Sequence, residues 1–233
     1  KFRVIVSLFA SVFLAFGAIQ PSVAAPTHSA QADAVITDMA QAYKRGDRKR
    51  LSALLPQAKG HILEPWAAYW ELKARLDEAS HSEVRAFFSR YPATYQEDRL
   101  RNDWLLLLGQ RRDWTTLSDE HPHYRMRDDR ELRCYILTVE LLEKGQSANP
   151  AIADEVRKNW MAMKEADDGC TLAADRLYFN KQFTALDIWR KARLMVEHNR
   201  PRTARNAVQI VAPDAANLVP DAINNAEKFL AKH

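Results

Sequence analysis

Six glycines in 233 residues constrain the fold of this chain more than any other feature of its sequence. An all-β domain turns back on itself every ~8 to 12 residues and draws on Gly, Asn and Pro for the backbone angles of those turns. With 6 Gly and 10 Pro the chain is poorly supplied for that. No segment alternates with period two over a useful length, whereas apolar residues recur at helical spacing. Leu100, Trp104, Leu107 and Leu108 share one face, as do Leu132, Ile136, Val139 and Leu142. A third row runs through Leu186, Trp189, Arg193 and Val196, with Ala192 beside it.

Helix start and stop signals subdivide these stretches. Ser80-His81-Ser82-Glu83 and Thr94-Tyr95-Gln96-Glu97 match the capping box, in which a hydroxyl and a Glu three residues on satisfy free N–H groups at a helix start. Pro65 and Pro150 stand where a first-turn proline is tolerated, and Gly46 and Gly145 follow periodic segments as left-handed caps. These marks predict helices over about 31–45, 48–59, 65–77, 81–91, 95–111, 113–120, 128–144, 150–165, 171–180, 183–198, 201–211 and 215–231. So many short helices with short links predict an all-α chain, a right-handed α-superhelix (α-solenoid) of helical pairs, rather than a bundle of fewer, longer helices. The regular recurrence of about 34 residues that marks tetratricopeptide repeats is absent.

The first residues stand apart from this pattern. Lys1-Phe2-Arg3 precedes a largely apolar run from Val4 to Ile19, and the small-residue stretch Pro21-Ser22-Val23-Ala24-Ala25 follows. A basic start, an apolar middle and small residues at a cut are the parts of a secretory signal peptide, here residues 1–24 with cleavage after Ala24. The 16-residue run falls short of the ~20 that span a bilayer as a helix. No Cys stands at the cut to accept a lipid, so no membrane anchor is expected after cleavage. Residues 1–24 carry two basic and no acidic residues, so their removal lowers the formal net charge from +4 to +2. What remains alternates in sign, as in Arg127-Asp128-Asp129-Arg130-Glu131, which describes solvated helix faces and argues against a nucleic-acid partner.

Export gives the cysteines their meaning. Cys134 and Cys170 are the only two, and in an oxidising compartment an even pair reads as a disulfide. Closing a loop of that length is worth roughly 4 kcal/mol by chain entropy. There is no CxxC spacing to suggest redox catalysis.

Candidate chemistry is sparse. Glu64, Glu71 and Glu140 lie beside aromatic or aliphatic residues, as a general acid must, but lack a partner at defined spacing and read as solvated or paired. His121-Pro122-His123 invites a metal, yet has no nearby carboxylate series or Cys and reads as surface. Trp66, Tyr69 and Trp70 could stack on sugars, and on an amphipathic helix read as core. No catalytic residue, metal site or cofactor site is assigned.

Several stretches, taken in order, resemble the N-terminal region of the soluble lytic murein transglycosylases of Gram-negative bacteria. They are Leu63-Glu64-Pro65-Trp66-Ala67-Ala68-Tyr69-Trp70-Glu71-Leu72, Phe87-Phe88-Ser89-Arg90-Tyr91-Pro92 and Asp98-Arg99-Leu100-Arg101-Asn102-Asp103-Trp104-Leu105. Gly109, Asp113-Trp114, Asp129-Arg130-Glu131-Leu132-Arg133-Cys134-Tyr135 and Leu186-Asp187-Ile188-Trp189 follow, so the likeness runs over about residues 35–200. The resemblance implies a U-shaped α-superhelix that forms a ring with a linker domain and carries a lysozyme-like catalytic domain. It also implies a disulfide at Cys134 and Cys170, a periplasmic location and peptidoglycan glycan strands as the partner of the whole enzyme. The implied reaction is non-hydrolytic cleavage of the β-1,4 bond between N-acetylmuramic acid and N-acetylglucosamine, leaving a 1,6-anhydromuramoyl end. Its single catalytic Glu, acid then base, stands in a Glu-Ser motif that this sequence does not contain. The expectation is therefore a superhelical domain over 25–233, cut off before the linker and catalytic domains, in a sequence that begins with Lys rather than Met. The alternative is a stand-alone exported helical-repeat scaffold that binds a protein partner.

Overall fold

Caps place most of the helices. Ser80 and Glu83 close a reciprocal capping box, and Thr184 with Asp187 closes a second. Asp47, Asp113 and Asp129 each accept an N–H of the helix that follows. Thr94 accepts from the Glu97 N–H at 3.1 Å, but the Glu97 carboxylate turns away to Arg101 and Arg125, so this box is only half made.

The computed structural model describes residues 30–145, 149 and 151–232, and among these there are thirteen α-helices and no strand. They are α1 (Ala30–Arg45), α2 (Arg48–Leu54), α3 (Glu64–Ala74), α4 (His81–Arg90), α5 (Tyr95–Arg111), α6 (Trp114–Glu120) and α7 (Arg130–Lys144). After these come α8 (Ala151–Ala162), α9 (Gly169–Phe179), α10 (Ala185–Glu197), α11 (Pro201–Val211), α12 (Val219–Asn224) and α13 (Ala226–Lys232). The expected signal segment and Pro150 lie outside the described residues. No helix among the described residues is long and apolar enough to cross a membrane.

Three apolar clusters succeed one another along the chain. Ile36, Met39, Leu51 and Ala67 form the first; Tyr69, Phe87, Trp104, Leu132 and Tyr135 belong to the second; Cys134, Leu137, Trp160, Leu177 and Ile188 belong to the third. Two helices serve two clusters each. On α3, Ala67 faces the first and Tyr69 the second; on α7, Leu132 and Tyr135 face the second while Cys134 and Leu137 face the third. A helix buried on both flanks by successive neighbours builds a stack rather than a closed bundle. Cys134 and Cys170 form a disulfide that ties α7 to α9, with 4.8 Å between their Cα atoms.

Several sequence expectations are corrected here. The segment 48–59 is not one helix: α2 ends at Leu54 and a 3₁₀ turn, Leu55–Ala58, carries Pro56, which has no N–H to continue an α-helix. The segment 215–231 is likewise broken into the 3₁₀ turn Pro213–Leu218, α12 with Pro220 in its first turn, and α13. Helix α8 stops at Ala162, so residues 163–168 form a link instead of helix. Gly46 has positive φ as expected, whereas Gly145, at φ 53° and ψ −128°, is not left-handed helical.

The apolar row on α10 is also wrong. Leu186, Trp189 and Val196 are 53%, 42% and 43% exposed. The buried row is Ile188, Lys191, Ala192 and Met195. Both rows have helical spacing; Lys191, a charged residue inside the true one, hid it from an apolarity pattern. Similarly, Leu142 on α7 is 47% exposed, while Leu137 and Leu141 take the buried positions.

Candidate functional site

The link between α8 and α9 brings together the charges that sequence spacing kept apart. Arg112, in a left-handed conformation at the end of α5 (φ 61°), sends its guanidinium to the Asp168 carboxylate. The Tyr135 hydroxyl donates to the same carboxylate at 2.5 Å. From α7, Glu131 accepts the N–H groups of Asp168 (2.9 Å) and Gly169 (3.2 Å), so α7 holds the first turn of α9 by a carboxylate as well as by the disulfide. Burial pushes the Asp168 carboxyl up, but Arg112 and Tyr135 outweigh it and keep the group below the usual aspartate range.

Beside it lies a cleft of about 580 Å³. One wall is the face of α9 bearing Thr171, Leu172 and Asp175; the opposite wall is the face of α11 bearing Arg202, Asn206, Gln209 and Ile210. Spacings of three and four residues put each set on one side of its helix. Asp167 lines the inner end and is only 7% exposed. Its Oδ1 accepts the Cys170 N–H at 2.6 Å, while its Oδ2 has no hydrogen-bond partner among the described residues. Burial pushes this carboxyl up to about 6; the Glu131 charge adds to the rise, and the Cys170 N–H and Lys191 oppose it. Lys191, fully buried behind this end, donates to the carbonyls of Trp160 and Met163 at the end of α8. Burial brings its ammonium down to about 8.

The residues singled out by sequence do not meet at this cleft. Glu64 accepts from the Gly60 N–H (2.6 Å), the Tyr91 hydroxyl (2.8 Å) and Arg90 (2.5 Å). Burial raises its pKa, but these three donors outweigh it and hold the carboxyl below the ordinary glutamate range, the reverse of what a general acid needs. Glu71 is buried between Ser52 and Arg75, each 2.8 Å away, and Glu140 pairs with Lys144 at the surface. Tyr69 is core, its hydroxyl on Asp103 at 2.8 Å; Trp66 and Trp70 are half-buried, with ring centroids 5.9 Å apart. His121 and His123 lie in a 3₁₀ turn, and no group of three His, Cys, Asp or Glu suited to a metal occurs among the described residues. Asp167, Asp168, Arg112, Lys191 and the α11 row carried no sequence signal beyond their polarity, because their meeting depends on how three helices pack.

No protein-family profile and no curated protein sequence matches the chain. Solved structures do. The lytic transglycosylase Slt of Pseudomonas aeruginosa, determined as an inactive mutant, superposes with a TM-score of 0.51 at 24% identity. The 70-kDa soluble lytic transglycosylase, determined with bulgecin A, superposes with a TM-score of 0.51 at 16% identity. The fold is the Slt superhelix. In both cases the match covers 84% of this chain and 31% of the other, so the chain spans about a third of the length of those enzymes. At these identities the Slt likeness speaks for fold.

Proposed function

We propose that this chain is the superhelical, non-catalytic part of a soluble lytic murein transglycosylase, exported by residues 1–24 and acting in the periplasm of a Gram-negative bacterium. The observation that carries the reading is the Slt likeness over 84% of the chain. The ordered stretches from Leu63 to Trp189 support it independently, since they rest on residue identity rather than shape.

On this reading residues 25–233 form a curved wall that helps close a ring around a murein strand. A separate lysozyme-like domain carries the chemistry, with one Glu protonating the leaving sugar oxygen and then, as base, drawing the C6 hydroxyl of the muramoyl residue onto its own anomeric carbon. The helices contribute position and stiffness. The lowered pKa of the hydrogen-bonded Glu64 and the surface pairing of Glu140 with Lys144 argue against an acid role for these two candidates of the sequence. The exposed apolar row Leu186, Trp189 and Val196 favours burial against something further. A neighbouring domain of the same enzyme fits the first reading, and a separate protein partner fits the stand-alone scaffold.

The test is to incubate the purified chain with murein sacculi. It is expected to sediment with the sacculi and to release no 1,6-anhydromuropeptides; release would move the catalysis into this chain, and failure to sediment would favour the scaffold. Reading the frame past His233 for a Glu-Ser lysozyme-like domain separates the same two readings.

A further inference from the structure

The groups that line the cleft between α9 and α11 fall into two sets. Arg112, Glu131 and Asp168 are saturated by one another, by Tyr135 and by backbone N–H groups, and serve the fold. Asp175 and Arg202, with Asn206 and Gln209, have no hydrogen-bond or ion-pair partner among the described residues, and Asp167 keeps one buried oxygen unpaired. A buried polar atom left without a partner costs about 1–3 kcal/mol, so it marks a place where something else completes the site.

We propose that this cleft binds a ligand bearing both an ammonium and a carboxylate, the free amino-acid end of a peptide. The ammonium lies against Asp167 and Asp175, the carboxylate against Arg202, and the Asn206 and Gln209 amides take the polar groups between. The chemistry follows from the charges this set presents to the cleft: Asp167 with its unpaired buried oxygen, and the exposed Asp175 and Arg202. Two carboxylates beside a single free guanidinium would repel a phosphate dianion. A neutral sugar would leave Arg202 and Asp175 unpaired, and no aromatic ring lines the cleft to stack on its face. A zwitterionic end pairs both signs at once, and Arg202 matches a carboxylate in a two-pronged geometry. Murein peptide stems carry such ends, so the identity of the ligand, though not its charge pattern, rests on the function proposed above.

The experiment titrates the isotope-labelled chain, followed by NMR, with a murein tripeptide ending in free diaminopimelate. The same peptide with that end acetylated and amidated, and a neutral N-acetylglucosamine trimer, form the other arms. The free peptide is expected to shift amide signals confined to Asp167–Asp175 and Arg202–Ile210. Blocking the end, Asp175→Asn or Arg202→Gln is each expected to weaken binding by about tenfold or more, the loss of one charge-assisted bond. Both side chains are exposed and unpartnered, so the variants keep the fold. Equal binding of the blocked peptide, binding of the trimer at these signals instead, or no shift with the free peptide would each overturn the proposal. Sedimentation with sacculi is scored separately: a silent cleft in a chain that sediments sinks this inference and keeps the murein reading, while peptide binding without sedimentation does the reverse.

Discussion

The ring of Tyr135 on α7 lies directly against Gly109 on α5, where a Cβ would collide with the ring carbons. Alanine normally gains up to ~1 kcal/mol over glycine inside a helix. Here that gain is outweighed, because Tyr135 is fully buried and its hydroxyl is pinned to Asp168. Gly109→Ala is expected to lower stability by about 1–3 kcal/mol, the usual range for overpacking, and thermal unfolding followed by circular dichroism measures it. A stabilised variant would mean that the α5–α7 contact is looser than described.

The disulfide closes a 36-residue loop between α7 and α9. Replacing both Cys134 and Cys170 by Ala is expected to cost roughly 2–4 kcal/mol, read from urea unfolding against the oxidised parent. Thiol titration of the unfolded, unreduced parent should find none free.

Asp167 makes part of the stability dependent on pH. Its folded pKa of about 6 lies above the 3.8 of an ordinary aspartate, so between these values the folded chain holds a proton that the unfolded chain has lost. Stability from this group therefore falls as pH rises through that window and stays reduced above it. Lys191 adds no slope there, since it is charged on both sides of unfolding below about 8. Asp167→Asn, whose amide oxygen can still accept the Cys170 N–H, is expected to gain roughly 1–3 kcal/mol on the parent between about pH 4 and pH 7. Chemical denaturation across that range checks it; parallel curves would place the titration elsewhere.

Arg101 is buried between Glu97 (2.7 Å) and Glu120 (2.6 Å), with its guanidinium carbon 3.9 Å from the centre of the Phe88 ring. Arg101→Met keeps most of the volume and leaves Glu120 with Arg85 and Glu97 with Arg125 as their remaining cations. Because those two arginines are about half exposed, they replace Arg101 poorly, and a loss of about 3 kcal/mol is expected in urea unfolding.

The two rows of α10 separate cleanly in a pair of substitutions. Met195→Ala is expected to cost about 2–4 kcal/mol and Trp189→Ala under about 1 kcal/mol in thermal unfolding, because only Met195 is buried. The opposite order would restore the row expected from apolarity.

Helix existence and most boundaries were legible because caps act within one turn. Ser80 finds Glu83 three residues away, and Asp113 finds the Thr116 N–H, whatever the rest of the chain does. Pro56 and Pro220 were equally visible as residues, yet their effect was misjudged: periodicity ran through them where the backbone could not. The cleft was not legible at all. Asp167 and Asp168 look like any acidic pair before a helix, and only the approach of α7 and α5 turns one into a saturated ion pair and leaves the other buried and half-paired.

By itself, then, the sequence determined that the chain is helical, roughly where most of the helices start, and which two cysteines could bridge, since these depend on local backbone chemistry and a count of two. Tertiary structure decided which face of each helix is inside. Trp189 is outside and Lys191 inside because α8 presents backbone carbonyls where Lys191 reaches and nothing among the described residues fully covers Trp189. Burial is a property of the neighbour that covers a residue, and no single helix carries that information in its own pattern.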